Sequence, residues 1–259
     1  MTGEKLKIDA RRQKILEILG RDGSVRVTEL SRQLDATPVT IRSDLTVLER
    51  DGFLERVQGG AVQSAKTFYN RDFLQRKQQN CDVKKQLAAA VADVIKDGDT
   101  ILINSGTTTY FVAVELKKRK NLNIVTNSIS VAAELGDYPS FRVILLGGDI
   151  NAQYAFTHGS DAQEQLRNYR ADYCILSMDG ICPEAGVTTY HAEEAVMDRM
   201  MMERAACTIV AAESRKIGRV GFSHVCEAGR IDCLITDGDV DPAAVEQLRK
   251  QNIKVKISK

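Results

Sequence analysis

The chain has 259 residues, 43% hydrophobic and 27% charged, which favours two globular domains and excludes a disordered or fibrous polypeptide. The formal charge is +1, from 36 Lys+Arg against 35 Asp+Glu, so a globally basic nucleic-acid coat is excluded while a local basic face is not. Aromatics are 5% and tryptophan is absent, which argues against a stacking platform for single strands. The longest apolar runs, Leu87–Ala92 and Cys207–Ala212, are far shorter than the ~20 residues of a membrane helix. Met1–Ala10 has Lys5 and Lys7 with no apolar core behind them, so no secretory signal is expected. The expectation is a soluble, cytoplasmic protein with no membrane partner.

In chain order, a first helix is expected from Ala10 to Leu19, with Ile15, Leu16, Ile18 and Leu19 on its apolar face and Gly20 as its stop. Thr28 is expected to cap a short helix through Leu34, and Asp35-Ala36-Thr37 breaks the chain. Thr37 then caps a third helix whose first position, Pro38, needs no backbone N–H. Ile41, Leu45 and Leu48 recur at i, i+4, i+7 and face a core, leaving Thr40, Arg42, Ser43 and Thr46 outward. These side chains are short enough to let a helix enter the major groove, and Arg42 is a bidentate donor. After Gly52, the stretch Phe53–Val62 reads as two short strands around Gly59-Gly60, the wing of a winged helix-turn-helix. A plain three-helix bundle remains the alternative, since residues 1–62 hold eleven Lys+Arg against ten Asp+Glu.

Gln63–Asp82 is polar and reads as a linker able to absorb a change of angle. From Val83 onward β-branched runs alternate with helical stretches. Strands are expected at Thr100–Ile103, Asn123–Val125, Arg142–Leu146, Asp172–Met178, Thr208–Ala211, Asp232–Thr236 and Lys254–Ile257. Helices are expected at Val83–Lys96, Thr108–Lys118, Ser128–Leu135, Asp161–Tyr169, Glu193–Ala206 and Pro242–Gln251. That alternation predicts an α/β domain over 83–259 with a mostly parallel sheet, behind a helical domain over 1–62.

The run Thr100–Ile103 leads directly into Asn104-Ser105-Gly106-Thr107-Thr108-Thr109 and a helix start. Gly106 would let backbone amides point into an opening while Ser105, Thr107 and Thr108 add hydroxyls, an anion cradle at a helix N-terminus. Hydroxyl-rich turns are equally ordinary helix caps. No Walker loop and no G-x-G-x-x-G occurs, so no nucleotide cofactor is expected. Thr126-Asn127-Ser128 and Gly147-Gly148 end the next two strands, and polar turns at the carboxyl ends of a parallel sheet converge on one crevice. Lys216, after the Thr208–Ala211 strand, is either a cation for a phosphate or a solvated loop lysine.

The six cysteines never form C-x-x-C, and Cys174, Cys207 and Cys233 lie in apolar runs as small hydrophobes. His158, His191 and His224 are isolated, so a metal site would have to be assembled from distant pieces and none is expected.

The segment from Arg11 to Val62, densest in T-x-x-x-I-R-x-D-L-x-x-L (Thr37–Leu48) and R-x-x-G-G-A (Arg56–Ala61), resembles the reader of the DeoR-type bacterial transcription regulators. The resemblance implies that Thr37, Thr40, Arg42 and Ser43 face the groove of double-stranded operator DNA, with Arg56 and Gln58 of the wing near the backbone or minor groove. Arg26, Pro38 and Thr46 complete the expected contact set. Asp44 is implied to hold the recognition helix to its own domain.

Residues from about Lys84 to Asp237 resemble the sensor domain behind that reader, whose fold is that of ribose-5-phosphate isomerase and coenzyme A transferases. The matching segments are Ser105–Thr108, Val125–Ser128, Gly147-Gly148, Asp179–Ile181, Gly186–Thr189 with Glu193-Glu194, and the Lys216 loop. The resemblance implies a phosphorylated sugar with its phosphate on Ser105–Thr108. The implied effector set is Asn104, Ser105, Gly106, Thr107, Thr108, Thr126, Asn127, Ser128, Gly147, Gly148, Asp179, Glu194 and Lys216. Two departures stand out: Asn104 where the family often has Asp, and Glu213-Ser214-Arg215-Lys216 where it has D-x-S-K. The Gly186–Thr189 stretch with its acidic helix looks most like the amino-sugar and hexitol branch.

Two functions are thereby weighed. One is a repressor of carbohydrate use, a homodimer or homotetramer whose DNA affinity a sugar phosphate sets. The other is a sugar-phosphate isomerase or deaminase carrying a reader, for which Glu193, Glu194, Asp179 and Lys216 are the candidate groups.

Overall fold

Ile15, Leu19, Leu30, Ile41, Leu45 and Leu48 recur at helical spacing, and all six are buried in one cluster with Val25, Val27, Leu54 and Ala61. That cluster is the core of the first of two compact units, Met1–Gln79 and Asn80–Lys259, in a computed structural model. The structure describes residues 11–12, 14–16, 18–19, 22–50, 53–62 and 73–258.

In the first unit the described residues of 11–19 are helical and lead to β1 (Ser24–Arg26), α1 (Val27–Gln33) and α2 (Pro38–Arg50). Two further strands, β2 (Glu55–Val57) and β3 (Gly60–Val62), pair antiparallel, and β1 joins them in the order β1-β3-β2. The wing thus has a third strand that its sequence pattern hides, because Ser24–Arg26 is too short to alternate visibly. Gly60 admits this pairing, since a Cβ there would sit 2.0 Å from the Val25 carbonyl oxygen. The capping expectation for Thr28 is corrected: α1 begins at Val27, its N-cap is Arg26, and no side chain caps it.

The linker expectation also changes. Phe73–Gln78 is a helix, α3, and α4 (Cys81–Ala92) already begins inside the stretch that reads as polar linker. Residues 63–72 lie outside the described residues.

The second unit is built on seven parallel strands: β4 (Thr100–Ile103), β5 (Asn123–Thr126), β6 (Arg142–Leu145), β9 (Ala171–Leu176), β12 (Ala205–Ala211), β14 (Cys233–Thr236) and β15 (Lys254–Ile257). Their order is β15-β14-β12-β9-β4-β5-β6. Alternate strand residues face opposite layers. Ile101, Ile103, Ile124, Ile175 and Ile209 pack with α4, α5 (Thr107–Leu116) and α6 (Ile129–Leu135). Leu102, Val125, Leu176, Val210 and Leu234 pack with α7 (Ser160–Leu166), α8 (Ala192–Glu203) and α9 (Pro242–Arg249). Both sheet faces are therefore covered, as a parallel sheet requires.

The chain starts in the sheet at β4, works outward to β6, then returns through β9 to the other edge. The direction reverses between β4 and β9, and in open α/β sheets the crevice beyond the carboxyl ends at such a switch is where ligands sit. Two small antiparallel sheets escape the sequence pattern, each of three- or four-residue strands bounded by turns. One is β10 (Gly180–Cys182), β11 (Gly186–Thr189) and β13 (Ser223–Cys226); the other is β7 (Asp149–Asn151) with β8 (Phe156–His158). The helix expected over Glu193–Ala206 stops at Glu203, because Ala205 is already paired to Ala171 in the main sheet. Cys174 and Cys233 are buried as expected, whereas Cys207 is only half-buried.

Candidate functional site

The reader presents its outward residues on α2. Thr37 Oγ1 accepts from the Thr40 amide at 3.2 Å, the cap expected before Pro38. Thr37, Pro38, Arg42, Ser43 and Thr46 are exposed; Thr40 is half-buried, with its hydroxyl 2.8 Å from that of Thr37. Arg42 and Ser43 make no side-chain hydrogen bond among the described residues. Thr46 Oγ1 instead donates to the Arg42 carbonyl at 2.9 Å and accepts from Arg56 Nη1 at 3.0 Å, which ties the wing to the helix. Arg26 is exposed on β1 and Gln58 at the wing turn. Asp44, by contrast, is 2% exposed and takes Arg11 Nε at 2.5 Å and Arg12 Nε at 3.0 Å. Two guanidinium groups therefore clamp α2 to the first helix through one carboxylate.

In the second unit the switch point is bridged by one side chain. Asn104, at the end of β4, accepts from the Ser177 amide through Oδ1 at 3.0 Å. Its Nδ2 donates to the Ser177 carbonyl at 3.1 Å and to Asp198 Oδ1 at 3.0 Å. An Asn supplies both a donor and an acceptor for those two hydrogen bonds to the backbone of one residue, which a carboxylate cannot do without a proton.

The turn after Asn104 is buried: Ser105 and Thr107 are 2% and 6% exposed and Thr108 is 0%. The cradle expected of Gly106 is corrected in part, because its amide donates to Thr109 Oγ1 at 2.7 Å and is engaged within the turn. Thr126 Oγ1 donates to the Ile103 carbonyl at 2.7 Å and accepts from the Ser128 amide, while Ser128 Oγ caps α6 by accepting from Val131 N. The Gly147 amide donates to Gln165 Oε1 at 2.9 Å. Gly148 is exposed with φ +134°, and a Cβ there would lie 2.2 Å from the His158 carbonyl oxygen. These groups surround the carboxyl ends of β4, β5 and β6. Thr108 Oγ1 and Asn127 Oδ1 are the buried atoms of the expected set with no hydrogen-bond partner among the described residues.

Beside the turn after β4 stand three buried carboxyls, Asp179, Glu194 and Asp198. Ser105 Oγ donates to Glu194 Oε1 at 3.4 Å. Thr189 Oγ1 lies 2.5 Å from Glu194 Oε2 and 3.1 Å from Asp179 Oδ2, so its single proton serves one acid at a time. Burial pushes the Asp198 carboxyl well above its ordinary value, and the neighbouring Glu194 charge adds to the rise. Lys216 is buried, not solvated, and its Nζ donates to the Met178 carbonyl at 2.5 Å.

Sequence reasoning missed Asp198, Lys84 and Glu213. Glu213 is 2% exposed; it accepts from Arg215 Nη2 at 3.1 Å and from Asn80 Nδ2 at 2.8 Å, and it forms an ion pair with Lys84 Nζ at 3.9 Å. Burial works against its charge, but Arg215, Lys84, Lys216 and the Asn80 bond outweigh it and hold the carboxyl below its ordinary value. Signals existed for two of them. Lys84 stands on the apolar stripe of Leu87, Ala88 and Val91, and Asp198 follows Glu194 by one helical turn.

Among the described residues, no group of His, Cys, Asp or Glu could hold a metal ion, and no helix is long and apolar enough to cross a membrane.

Residues 11–67 match the DeoR-like helix-turn-helix domain and residues 79–238 the DeoR C terminal sensor domain. The putative aga operon transcriptional repressor of Escherichia coli O157:H7 is 32% identical over 247 residues, which is 95% of this chain and 92% of that one. The lactose phosphotransferase system repressor of Lactococcus lactis is 31% identical over 240 residues, covering 92% and 94%. A solved ribose 5-phosphate isomerase A from Methanocaldococcus jannaschii superposes with a TM-score of 0.40 at 14% identity, over 54% of this chain and 55% of that one, too loosely to bear on function. Both relatives by sequence are named as repressors rather than enzymes, and the isomerase or deaminase reading is set aside. Matched in both halves and along nearly the whole length of its relatives, the chain belongs to the DeoR family of DNA-binding transcriptional regulators.

Proposed function

We propose that the chain represses a carbohydrate-utilisation operon and that a phosphorylated sugar bound in the second unit sets its operator affinity. The observation that carries this is the joining in one chain of an exposed Arg42–Ser43 helix face, in a DeoR-like reader, with the polar switch-point turns of a DeoR sensor domain. On the reader, Arg26, Thr37, Pro38, Thr40, Arg42, Ser43, Thr46, Arg56 and Gln58 form the DNA-contacting set, with Arg42 the base-reading donor and Thr46 with Arg56 positioning the wing. On the sensor, Ser105, Thr107, Thr108 and Lys216 take the phosphate. Asn127, Asp179 and Glu194 take the sugar hydroxyls, and Asn104, Gly106, Thr126, Ser128, Gly147 and Gly148 shape the turns. Carboxylates suit that role, since they accept hydrogen bonds from a polyol. Homodimers or homotetramers would place two recognition helices a whole number of DNA turns apart.

The test is a thermal-shift panel of sugar phosphates followed by operator binding with and without the hit. A ligand present at 100 times its Kd stabilises by about 2.7 kcal/mol, and a coupling of ~1–3 kcal/mol changes DNA affinity ~5–150-fold. Thr107→Val should lose the ligand response while apo DNA binding stays near normal. Arg42→Ala should cost ~1–3 kcal/mol on the preferred operator and little on other sequences. Absence of any stabilising phosphate ester, or a ligand that leaves DNA affinity unchanged, overturns the reading.

A further inference from the structure

The outward stripe of α2 begins one residue earlier than its polar residues suggest. Val39, Arg42, Ser43 and Thr46 stand at i, i+3, i+4 and i+7, so they share one face of the helix. Val39 is 72% exposed, and the residues that bury α2 are Ile41, Asp44, Leu45 and Leu48 on the other side. Thr40, between the two faces, is half-buried with its hydroxyl engaged by Thr37. Thr46 is likewise committed, to Arg42 and Arg56. Beside the Pro38 ring at its start, what the Val39–Thr46 face offers outward is therefore one guanidinium, one hydroxyl and a pair of methyl groups. A valine on a helix is fixed in essentially one χ1 rotamer, so those methyls have a defined position. The residues near the start of a recognition helix are the ones that approach base edges, and the apolar feature on a major-groove edge is the thymine C5-methyl.

We propose that Val39 reads a thymine, its methyl groups packing on the C5-methyl of one base beside the position read by Arg42. This rests on the DNA-reading assignment above and adds a specific base class to it. The same exposure would also suit contact with a deoxyribose or with a second copy of the chain, and the experiment separates these.

Duplexes are selected from a randomised pool with the full-length chain, and each thymine of the selected site is replaced in turn by deoxyuridine, which removes only the methyl. One replacement should weaken binding about fourfold, the worth of burying one methyl. Val39→Ala should bind the thymine duplex about that much more weakly, bind its deoxyuridine counterpart no worse, and melt as the parent does. If the chain selects no duplex, the reader assignment fails and this inference with it. If duplexes are selected but no deoxyuridine matters, or if V39A keeps the parent's deoxyuridine sensitivity, the thymine contact alone is wrong. Equal weakening of V39A on both duplexes assigns the valine to the sugar backbone. A change in oligomer mass with the sensitivity intact assigns it to a subunit contact. Either result overturns the proposal.

Discussion

The two units treat buried carboxyls in opposite ways. In the reader, Asp44 is enclosed by Arg11 and Arg12, so its charge is answered by two cations and the result is a fixed helix. At the sensor's switch point Glu194 and Asp198 stand together; Asn104 donates to Asp198, and Ser105 and Thr189 hydrogen-bond to Glu194. Burial and then the Glu194 charge drive Asp198 toward its protonated form, outweighing the Asn104 bond and the Arg199 charge that act the other way. Away from that crevice, the same unit uses the reader's solution at Glu213, with Lys84 and Arg215 as its cations. Fully paired acids hold a fold together. An acid packed beside another acid is held toward its neutral form instead, and Asp198 Oδ2, with no hydrogen-bond partner among the described residues, keeps hydrogen-bonding capacity of the kind a polyol-binding site uses.

The sharpest way to break this contrast is Glu213→Ala. Lys84 is 2% exposed and would be left buried without its carboxylate, a loss of about 3–5 kcal/mol in chemical denaturation. A loss below ~1 kcal/mol would mean that Lys84 finds water and that the cluster is not a structural pair. Asp44→Asn should cost less, about 1–3 kcal/mol, because Arg11 and Arg12 retain 23% and 27% exposure and can turn outward. Hydrogen exchange should quicken along Pro38–Arg50 and stay unchanged in the central strands of the sensor. The helix caps offer a milder comparison, as Thr37→Ala in the reader and Ser128→Ala in the sensor should each cost ~1 kcal/mol and melt nothing else.

The smallest effect is one of slope. An acid whose folded-state value is raised contributes fully below its ordinary value, 3.8 for Asp198, and loses that contribution as pH rises through the raised value. Asp198→Asn should therefore flatten the decline in stability above pH 3.8 and leave the protein no less stable at neutral pH. Glu213, held below its ordinary 4.5, slopes the other way, contributing above that value and losing it as pH falls through the lowered one. If the Asp198→Asn protein is less stable than the parent at every pH, the carboxyl is ionised and paired, and the contrast between the units disappears.

Much of this was legible in the chain. The apolar spacing of Ile41, Leu45 and Leu48 fixes which side of α2 is core, and Pro38 after Thr37 marks its start. The seven strands of the main sheet are each short runs of β-branched or apolar residues next to a turn, a local signal. The small strands β1, β7, β8, β10, β11 and β13 were not legible, because three or four residues between turns carry no period to detect. Of the candidate site, the hydroxyl-rich turn after β4 was visible, whereas the burial of its residues was not.

Local pattern, then, is set by the sequence alone: which residues are helical, which strands are apolar, where polar turns follow strands, and which reader and sensor the chain resembles. Tertiary structure alone decided that Asn104 spans β4 and β9, that Lys84 and Lys216 lie inside the protein, and that Asp198 shares its surroundings with Glu194. Such contacts join residues far apart in the chain, as with Asn80 and Glu213, 133 positions apart. The charge state of a buried group depends on neighbours in space rather than in sequence, so no local pattern reveals it.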